Sequence, residues 1–114
     1  MALNDAALVV GANAIDVAIT HFQLFSAATN ATGTTNAVGA RQAVNGTVDA
    51  DGDITWGSTA FTGLTANQPV HSVGYFSALT AGTFYGSTVL TGDATANAAG
   101  EYTVTSVAEN STAT

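Results

Sequence analysis

The sequence predicts a mainly β protein, a single-domain antiparallel β-sandwich or barrel with a short N-terminal helix or arm. Short runs rich in Val, Ile, Thr and aromatic residues recur about every ten residues, separated by Gly, Asn and Asp. The connections between these runs are too short for the crossovers that parallel strands need, so antiparallel pairing is expected. The 114 residues correspond to one domain.

The N-terminal unit, residues 1–14, is predicted to be a short helix or an extended arm. Asn4 and Asp5 are candidate N-cap residues. Gly11 and the two valines before it weaken the helix, because Gly and β-branched residues have low helix propensity.

The β domain is predicted to cover residues 15–107 and to begin with a half-buried strand. Ile15, Val17 and Ile19 alternate with smaller or more polar residues, as expected for a strand with one buried face. The apolar phase then changes before Phe22, which predicts a β-bulge.

Turn residues divide the rest of the β domain into further strands. Asp51-Gly52 is a strong signal for a hairpin turn. The other strands are predicted at residues 38–48, 54–62, 70–79, 83–90 and 101–107, and residues 108–114 are predicted to form a loose tail.

Charge limits the classes of partner. Eight Asp and Glu residues accompany a single Arg and no Lys, so the net charge is −7. Nucleic acids and anionic membranes are bound through Lys and Arg, so neither is expected as a partner. Monomeric β proteins protect their sheet edges with Lys or Pro. With no Lys and one Pro, this chain is expected to have edges that are short, bulged or covered by neighbouring subunits, which favours a component of an assembly such as a homo-oligomer.

Several kinds of chemistry are not expected from the sequence. The absence of cysteine excludes disulfides, thiol catalysis and Cys-ligated zinc. No Gly-x-Ser-x-Gly motif is present, and we predict no enzyme, no cofactor and no catalytic residue. The first residues include no basic region, so we expect no secretory signal and synthesis in a cytoplasm.

Two residue groups are candidate metal ligands. Asp49, Asp51 and Asp53 alternate as calcium ligands do, but the Gly and Glu that a calcium hand requires at positions six and twelve are missing. A solvated acidic turn is the favoured interpretation, and a weak calcium site is the alternative. His21 and His71 have no third ligand nearby in sequence, which favours packed histidines over a metal pair. We therefore predict no metal site.

Arg41 is the one permanently charged cationic side chain, and two interpretations are open. It is either a surface residue in a diffuse acidic neighbourhood or the partner of a carboxylate in a bidentate pair, within or between subunits.

Six aromatic residues between positions 56 and 85 are predicted to form the core. The alternative is a stacking surface for carbohydrate. They are Trp56, Phe61, Tyr75, Phe76, Phe84 and Tyr85.

Six segments, in order along nearly the whole chain, resemble a family of small virion proteins of tailed phages, especially those of actinobacteria. They include Thr-His-Phe-Gln-Leu at residues 20–24 and Ala-Arg-Gln-Ala-Val within residues 39–44. The chain departs from the family at Phe76, where relatives often have Trp, and at Val38-Gly39. The other four segments are residues 70–78, 81–86, 90–93 and 101–105.

The resemblance implies a structural virion protein, since relatives are variously head-decoration, minor tail or tail-fibre proteins. We favour a capsid decoration protein on the virion exterior, because the chain is one module without a coiled-coil shaft. Its expected partners are the major capsid protein and further copies of itself, for example in a trimer. The expected interface residues are Arg41, Leu8, Val9 and Val10. The alternatives are a minor tail, tail-tip or receptor-binding module, and a secreted adhesin-like module.

Overall fold

In the described part of the chain, one helix precedes nine short strands, and the strand pairs are antiparallel, as predicted. The computed structural model describes residues 4–91 and 94–109. The elements are α1 (Asp5–Ala18), β1 (His21–Phe25), β2 (Ala37–Ala43), β3 (Gly46–Val48), β4 (Ile54–Trp56), β5 (Thr59–Phe61), β6 (Ser72–Phe76), β7 (Phe84–Val89), β8 (Tyr102–Val104) and β9 (Val107–Glu109).

Three sheets share one hydrophobic core. The largest has the strand order β2-β1-β6-β7, and two smaller sheets, β3-β4-β9 and β5-β8, contribute residues to the cluster on one of its faces. There, Phe22 of β1 packs edge-on against Trp56 of β4 with ring centroids 5.5 Å apart, and Tyr75 of β6 stacks on Trp56 at 5.7 Å. The prediction of a mainly β, sandwich-like single domain is therefore confirmed.

The opposite face of the large sheet has a second aromatic cluster. The rings of Phe25, Phe76 and Phe84 have centroids 5.2 to 6.3 Å apart. Gly33, in the loop after β1, lies against these rings, since a Cβ there would be 2.6 Å from Phe84. Strand β1 is thus covered on both faces, which explains why its last four residues are all buried and show no alternation.

Helix α1 begins as the sequence predicts. The Asn4 side chain accepts a 3.0 Å hydrogen bond from the backbone N–H of Ala7, so Asn4 is the N-cap. Near the other end, Oδ1 of Asp16 accepts a 3.1 Å hydrogen bond from the backbone N–H of Gly46. This bond ties the helix to β3.

The helix extends further than predicted, and the strand expected from Ile15 onward is wrong over residues 15–18. Both Ile15 and Val17 are exposed, while the buried residues Ala12 and Ile19 lie seven positions apart, the spacing of one helix face. The alternation of apolar residues therefore does not mark a buried strand face here. The boundary between the helical and β parts moves from residue 14 to residue 18.

Three of the predicted strands are each interrupted. Residues 38–48 contain β2 and β3, residues 54–62 contain β4 and β5, and residues 101–107 contain β8 and the start of β9. The predicted hairpin is confirmed, because β3 and β4 pair across Asp51-Gly52, with Gly52 at a φ of 83°. Residues 108 and 109 belong to β9 rather than to a tail, and residues 110–114 lie outside the described residues.

The large sheet has a bulge close to the predicted position, but most of it lies in β2. The register shifts between Phe22 and Leu24, so three residues of β2 are opposite Gln23 alone. The buried Gln23 amide fills this gap: Nε2 donates to the carbonyl of Val38 at 2.8 Å and to that of Gly39 at 3.0 Å. The change of phase in the sequence marks the end of α1.

Candidate functional site

Most of the large apolar side chains that are exposed among the described residues belong to two elements, α1 and β7. Among the described residues, six large apolar side chains are exposed, and five of them belong to α1 and β7. Exposed apolar side chains that line a common groove are typical of an interaction site. The five are Val10, Ile15 and Val17 of α1 and Tyr85 and Val89 of β7, and the sixth is Leu79.

An apolar groove of about 650 Å³ lies between α1 and β7. Ile15 borders it on the helix side and Tyr85 on the strand side, and each is about half exposed, at 49% and 51%. The buried side chains of Ile54 and Tyr75 form its floor. The groove therefore offers apolar contacts to a partner, together with one polar wall.

The polar wall contains Glu109, which belongs to a hydrogen-bonded group of three side chains. The Tyr75 hydroxyl donates to Oε1 of Glu109 at 2.6 Å, and the Thr88 hydroxyl donates to the same oxygen at 3.2 Å. The Tyr75 and Thr88 hydroxyls also contact each other. Burial, and then the Glu109 carboxylate, raise the pKa of Tyr75 well above its ordinary value. The phenol is therefore a proton donor that fixes Glu109 beside the groove.

A bulge in β7 directs Tyr85 outward. Tyr75 pairs with Gly86 and Phe76 pairs with Phe84, so Tyr85 has no paired residue on β6. The bulge uses Gly86 at a φ of 139°, a conformation that other residues rarely adopt. Since β7 is an edge of the large sheet, its outward residues are open to a partner.

The exposed surface continues from the groove at Ala14 onto a face of α1, here called the outer stripe, which consists of Ala7, Val10, Ala14 and Val17. All four are exposed, with Val10 at 71% and Val17 at 78%. Their 3-4-3 spacing places them on one face of α1, opposite the face that buries Ala12. The helix is apolar on nearly every side, although only one side packs on the β sheets.

The structure gives Arg41 a position that neither interpretation anticipated. Its guanidinium carbon lies 3.6 Å from the centre of the Phe76 ring, and Nη1 donates to the carbonyls of Ala78 and Ala81 at 2.8 Å each. Burial lowers the pKa of Arg41 from its usual value. An aromatic ring and two backbone carbonyls therefore set the position of this cation.

The other predicted interface residues lie on the first half of α1. Val10 is exposed on the outer stripe, whereas Leu8 and Val9 are half-buried. Leu8 lies against the β3–β4 turn, since a Cβ on Gly52 would be 2.8 Å from its Cβ. Their role at an interface, like that of Arg41, stays a prediction.

The three aspartates come together in the β3–β4 turn. One carboxylate oxygen from each lies within 4.8 Å of the others. Oδ1 of Asp49 accepts hydrogen bonds from the backbone N–H groups of Asp51 at 2.9 Å and Asp53 at 3.0 Å. These hydrogen bonds close an acidic turn, and both interpretations of the aspartates, the solvated turn and the weak calcium site, stay predictions.

The two histidines lie at opposite ends of β1. His21 begins the strand, and its Nδ1 is 2.8 Å from the Thr20 hydroxyl. His71 donates its backbone N–H to the carbonyl of Phe25, the last residue of the strand. A five-residue strand is on the order of 13 Å long. The two histidines are therefore too far apart for the alternative in which both bind one metal.

The aromatic candidates are mostly core residues, as the sequence analysis favoured. Trp56, Phe61, Tyr75 and Phe76 are buried, which leaves Tyr85 as the one aromatic candidate that is exposed at the groove. The sequence does not predict the groove, because the alternation of Ile15 and Val17 indicates a buried strand face instead. The signal that points to it is a helix with apolar residues on nearly every side.

Comparison of the chain with protein-family models, curated proteins and solved structures finds no match. The resemblance to phage virion proteins therefore stays a prediction. Among the described residues, no helix combines the length and the apolar character that crossing a membrane requires.

Proposed function

We propose that this chain is a structural virion protein, specifically a capsid decoration protein that binds and stabilises the outer surface of a phage head. The observation that supports this most is the groove between α1 and the edge strand β7, bordered by Ile15 and Tyr85. An exposed apolar groove beside a free sheet edge is suited to a permanent partner rather than to solvent.

The order of the six sequence segments supports the same role. They are spread in order between residues 20 and 105 and resemble virion proteins of tailed phages. In this proposal the chain is made in the host cytoplasm, its partner is the major capsid protein, and the groove receives an apolar segment of that protein. Binding to the assembled shell, but not to its separated subunits, raises the free energy needed to take the shell apart.

The first test is immunogold electron microscopy. Antibody against the purified chain is applied to intact virions of the phage that encodes it. Gold spread over the heads supports decoration. Gold confined to the tail tip overturns the head location, and virions without gold overturn an exposed place on the virion.

The second test asks whether the groove is the contact. Ile15→Glu places a charge at the edge of the groove, whereas Leu79→Glu changes an exposed residue on neither α1 nor β7. Heads stripped of the chain should rebind the wild type and Leu79→Glu to the same extent. They should bind much less of Ile15→Glu. Equal binding of all three proteins assigns the contact to another surface.

A minor tail, tail-tip or receptor-binding module is the second candidate, and Tyr85 favours it. A half-exposed ring beside polar groups such as Glu109 and Ser87 is suited to stacking against a sugar. This role is supported if gold labels the tail tip and if Tyr85→Ala abolishes binding to host cell walls. Unchanged binding of the variant removes the support that Tyr85 gives.

A further inference from the structure

The outer edge of β7 has backbone groups that are open to a further strand. Leu90, directly after β7, donates its backbone N–H to the carbonyl of His71 at 2.9 Å. Successive residues of an antiparallel edge strand direct their backbone groups to alternate sides, so those of Ser87 and Val89 face away from β6. Among the described residues, backbone hydrogen bonds join Phe84–Val89 to β6 alone.

Strand β7 also lacks the usual protection of an edge. Free edges commonly carry Lys, Pro or other charged residues, and Phe84–Val89 contains none of these. The bulge at Tyr85 interrupts the start of the strand, but residues 86–89 beyond it pair in unbroken register with residues 72–75. These four residues therefore present a regular edge that suits the addition of a strand from a partner.

The groove can receive one side chain of such a strand. Residues opposite each other on neighbouring strands share one face of the sheet. Gly86 is opposite Tyr75, whose side chain is part of the groove floor, so a partner residue opposite Gly86 also directs its side chain to the groove. Gly86 leaves this space open, and Ile15 and Ile54 line it. The lining favours an apolar side chain such as that of Leu or Ile.

A carboxylate lies beside the position two residues further along β7. Thr88 is on the same face as Gly86, and its hydroxyl donates to Oε1 of Glu109 at 3.2 Å. Oε2 of Glu109 has no hydrogen-bond partner among the described residues. A partner residue opposite Thr88 is therefore next to an available carboxylate oxygen, which suits Lys or Arg.

Charge favours a different protein over a second copy of this chain. The one Lys or Arg residue of the chain, Arg41, is bound to Phe76 and to carbonyls in the turn after β6, so it is not available to a neighbouring Glu109. Two chains with a net charge of −7 each also repel each other. A basic segment of another protein is attracted by the same charge.

We propose that an extended segment of the partner adds as a strand to β7, where it pairs with Ser87 and Val89. One of its apolar side chains occupies the groove, and a Lys or Arg two residues away binds Glu109. This inference deepens the proposed function and rests on it for the identity of the partner, the major capsid protein. Backbone hydrogen bonds supply affinity, and the apolar and basic residues supply specificity.

The first experiment compares the binding of variants to heads from which the chain has been stripped. Glu109→Gln removes the charge but keeps an oxygen that accepts from Tyr75, and it should bind about tenfold more weakly than the wild type. Glu101→Gln, the matched control, removes the same charge from an exposed residue outside the groove and should bind as the wild type does. Ser87→Pro removes an N–H that faces away from β6, so it should fold, as urea unfolding verifies, and lose binding.

Two outcomes of this experiment contradict the proposal. If Glu109→Gln binds heads as well as Glu101→Gln does, no basic residue of the partner contacts Glu109. If folded Ser87→Pro binds heads as the wild type does, the partner does not add a strand to β7. Either result overturns the inference and leaves the decoration function standing, because the wild type still binds heads.

The second experiment uses the purified full chain without virions. Amide hydrogen exchange is followed by NMR in the presence of the synthetic peptide Lys-Thr-Ile-Thr-Lys at millimolar concentration, which places a Lys two residues from Ile in either strand direction. The amides of Ser87 and Val89 should exchange more slowly. The peptide Glu-Thr-Ile-Thr-Glu reverses the charge and Lys-Thr-Pro-Thr-Lys prevents pairing at its centre, so neither should change the exchange.

This experiment separates the inference from the proposed function. If the first peptide slows the exchange of Ser87 and Val89 although the chain binds no heads, strand addition is supported while the decoration function fails. If the first peptide has no effect, or if all three peptides act equally, strand addition of an apolar and basic segment is overturned. Protection that appears without peptide and grows with the concentration of the chain assigns the edge to a second copy and also overturns the proposal.

Discussion

The guanidinium of Arg41 lies 3.6 Å from the centre of the Phe76 ring, on the face of the large sheet that is opposite the main core. The same guanidinium donates two hydrogen bonds to carbonyls in the turn between β6 and β7. Arg41 of β2 is thereby tied to β6 and to the turn that follows it. The single permanent cation of the chain has a structural position, whether or not it also contacts another subunit.

Replacing Arg41 should lower stability. Arg41→Ala removes the contact with Phe76 and both hydrogen bonds, so the free energy of unfolding should fall by about 1–3 kcal/mol. Arg41→Lys should lower the free energy of unfolding by less than Arg41→Ala does. Its ammonium group keeps the charge but lacks the planar N–H donors of the guanidinium. Urea unfolding of the three proteins measures these differences.

Salt provides the control for this prediction. The partners of Arg41 are a ring and carbonyls, so the difference between the wild type and Arg41→Ala should persist in 1 M NaCl, where the screening length is about 3 Å. A difference that disappears in high salt would indicate a solvent-exposed ion pair instead.

Because of Tyr75, we expect the free energy of unfolding to fall at alkaline pH. Burial and the neighbouring Glu109 raise the pKa of Tyr75 above its ordinary value of 10.0. Its contribution to stability is therefore complete below about pH 10 and is lost as the pH rises further, because the unfolded chain releases the phenol proton first. The free energy of unfolding, measured with urea from pH 8 to 11, should fall above pH 10.

Tyr75→Phe isolates this effect. The variant should be roughly 1 kcal/mol less stable at pH 7, since Glu109 loses a hydrogen bond, and its stability should fall less above pH 10. The exposed-ring variant Tyr85→Phe should keep the full alkaline fall. If the difference between wild type and Tyr75→Phe is the same at pH 8 and pH 11, the phenol is not the group that titrates.

Gly74 is a position where the second aromatic cluster leaves no room for a side chain. A Cβ there would lie 2.4 Å from Phe25 and 3.0 Å from Phe84. Gly74→Ala should therefore displace at least one ring and lower the free energy of unfolding by about 1–3 kcal/mol. Gly57→Ala is the matched control, because a Cβ at Gly57 meets nothing within 4 Å, and its effect should stay within about 0.5 kcal/mol.

Equal stabilities of Gly74→Ala and Gly57→Ala would contradict this packing. The near-ultraviolet circular dichroism spectrum gives a second measurement of the same prediction. It should change in Gly74→Ala, whose substitution disturbs the aromatic rings, and stay unchanged in Gly57→Ala.

The fold class follows from the sequence, but the site does not, and the reason lies in the same few residues. Periodicity arguments assume that apolar residues mark buried faces. Ile15 and Val17 violate this assumption, because both are exposed on a helix. The residues that misled the prediction of the first strand are those that border the groove and form the outer stripe. Local rules often fail at functional surfaces for this reason.

Contacts between distant parts of the chain account for the other differences. Arg41 meets a ring 35 positions later in the sequence, and no local pattern indicates that pairing. Gln23 is a polar residue between Phe22 and Leu24, and its hydrogen bonds to β2 join residues 15 and 16 positions apart, which no local pattern indicates. The turn at Asp51-Gly52 was predictable because its geometry depends on neighbouring residues alone.

Hydrogen bonds between neighbouring residues also close the β3–β4 turn, so substitutions in it can test whether the aspartates bind calcium. Asp49 closes the turn with its own atoms, since Oδ1 accepts two backbone hydrogen bonds and its N–H donates to the carbonyl of Asp53 at 3.0 Å. Asp49→Ala should lower the free energy of unfolding by about 1 kcal/mol. Asp49→Asn retains an oxygen acceptor and removes one of three clustered carboxylates, so it should be at least as stable as the wild type.

Chelation separates the two interpretations of this turn. Because hydrogen bonds within the chain close the turn, the midpoint of thermal unfolding should be the same with EDTA and with added calcium, in the wild type and in Asp49→Asn. If EDTA lowers the wild-type midpoint, calcium restores it, and Asp49→Asn shows neither change, then the aspartates bind calcium. In that case Asp49→Asn should also be less stable than the wild type when calcium is present, which reverses the order expected from hydrogen bonding alone.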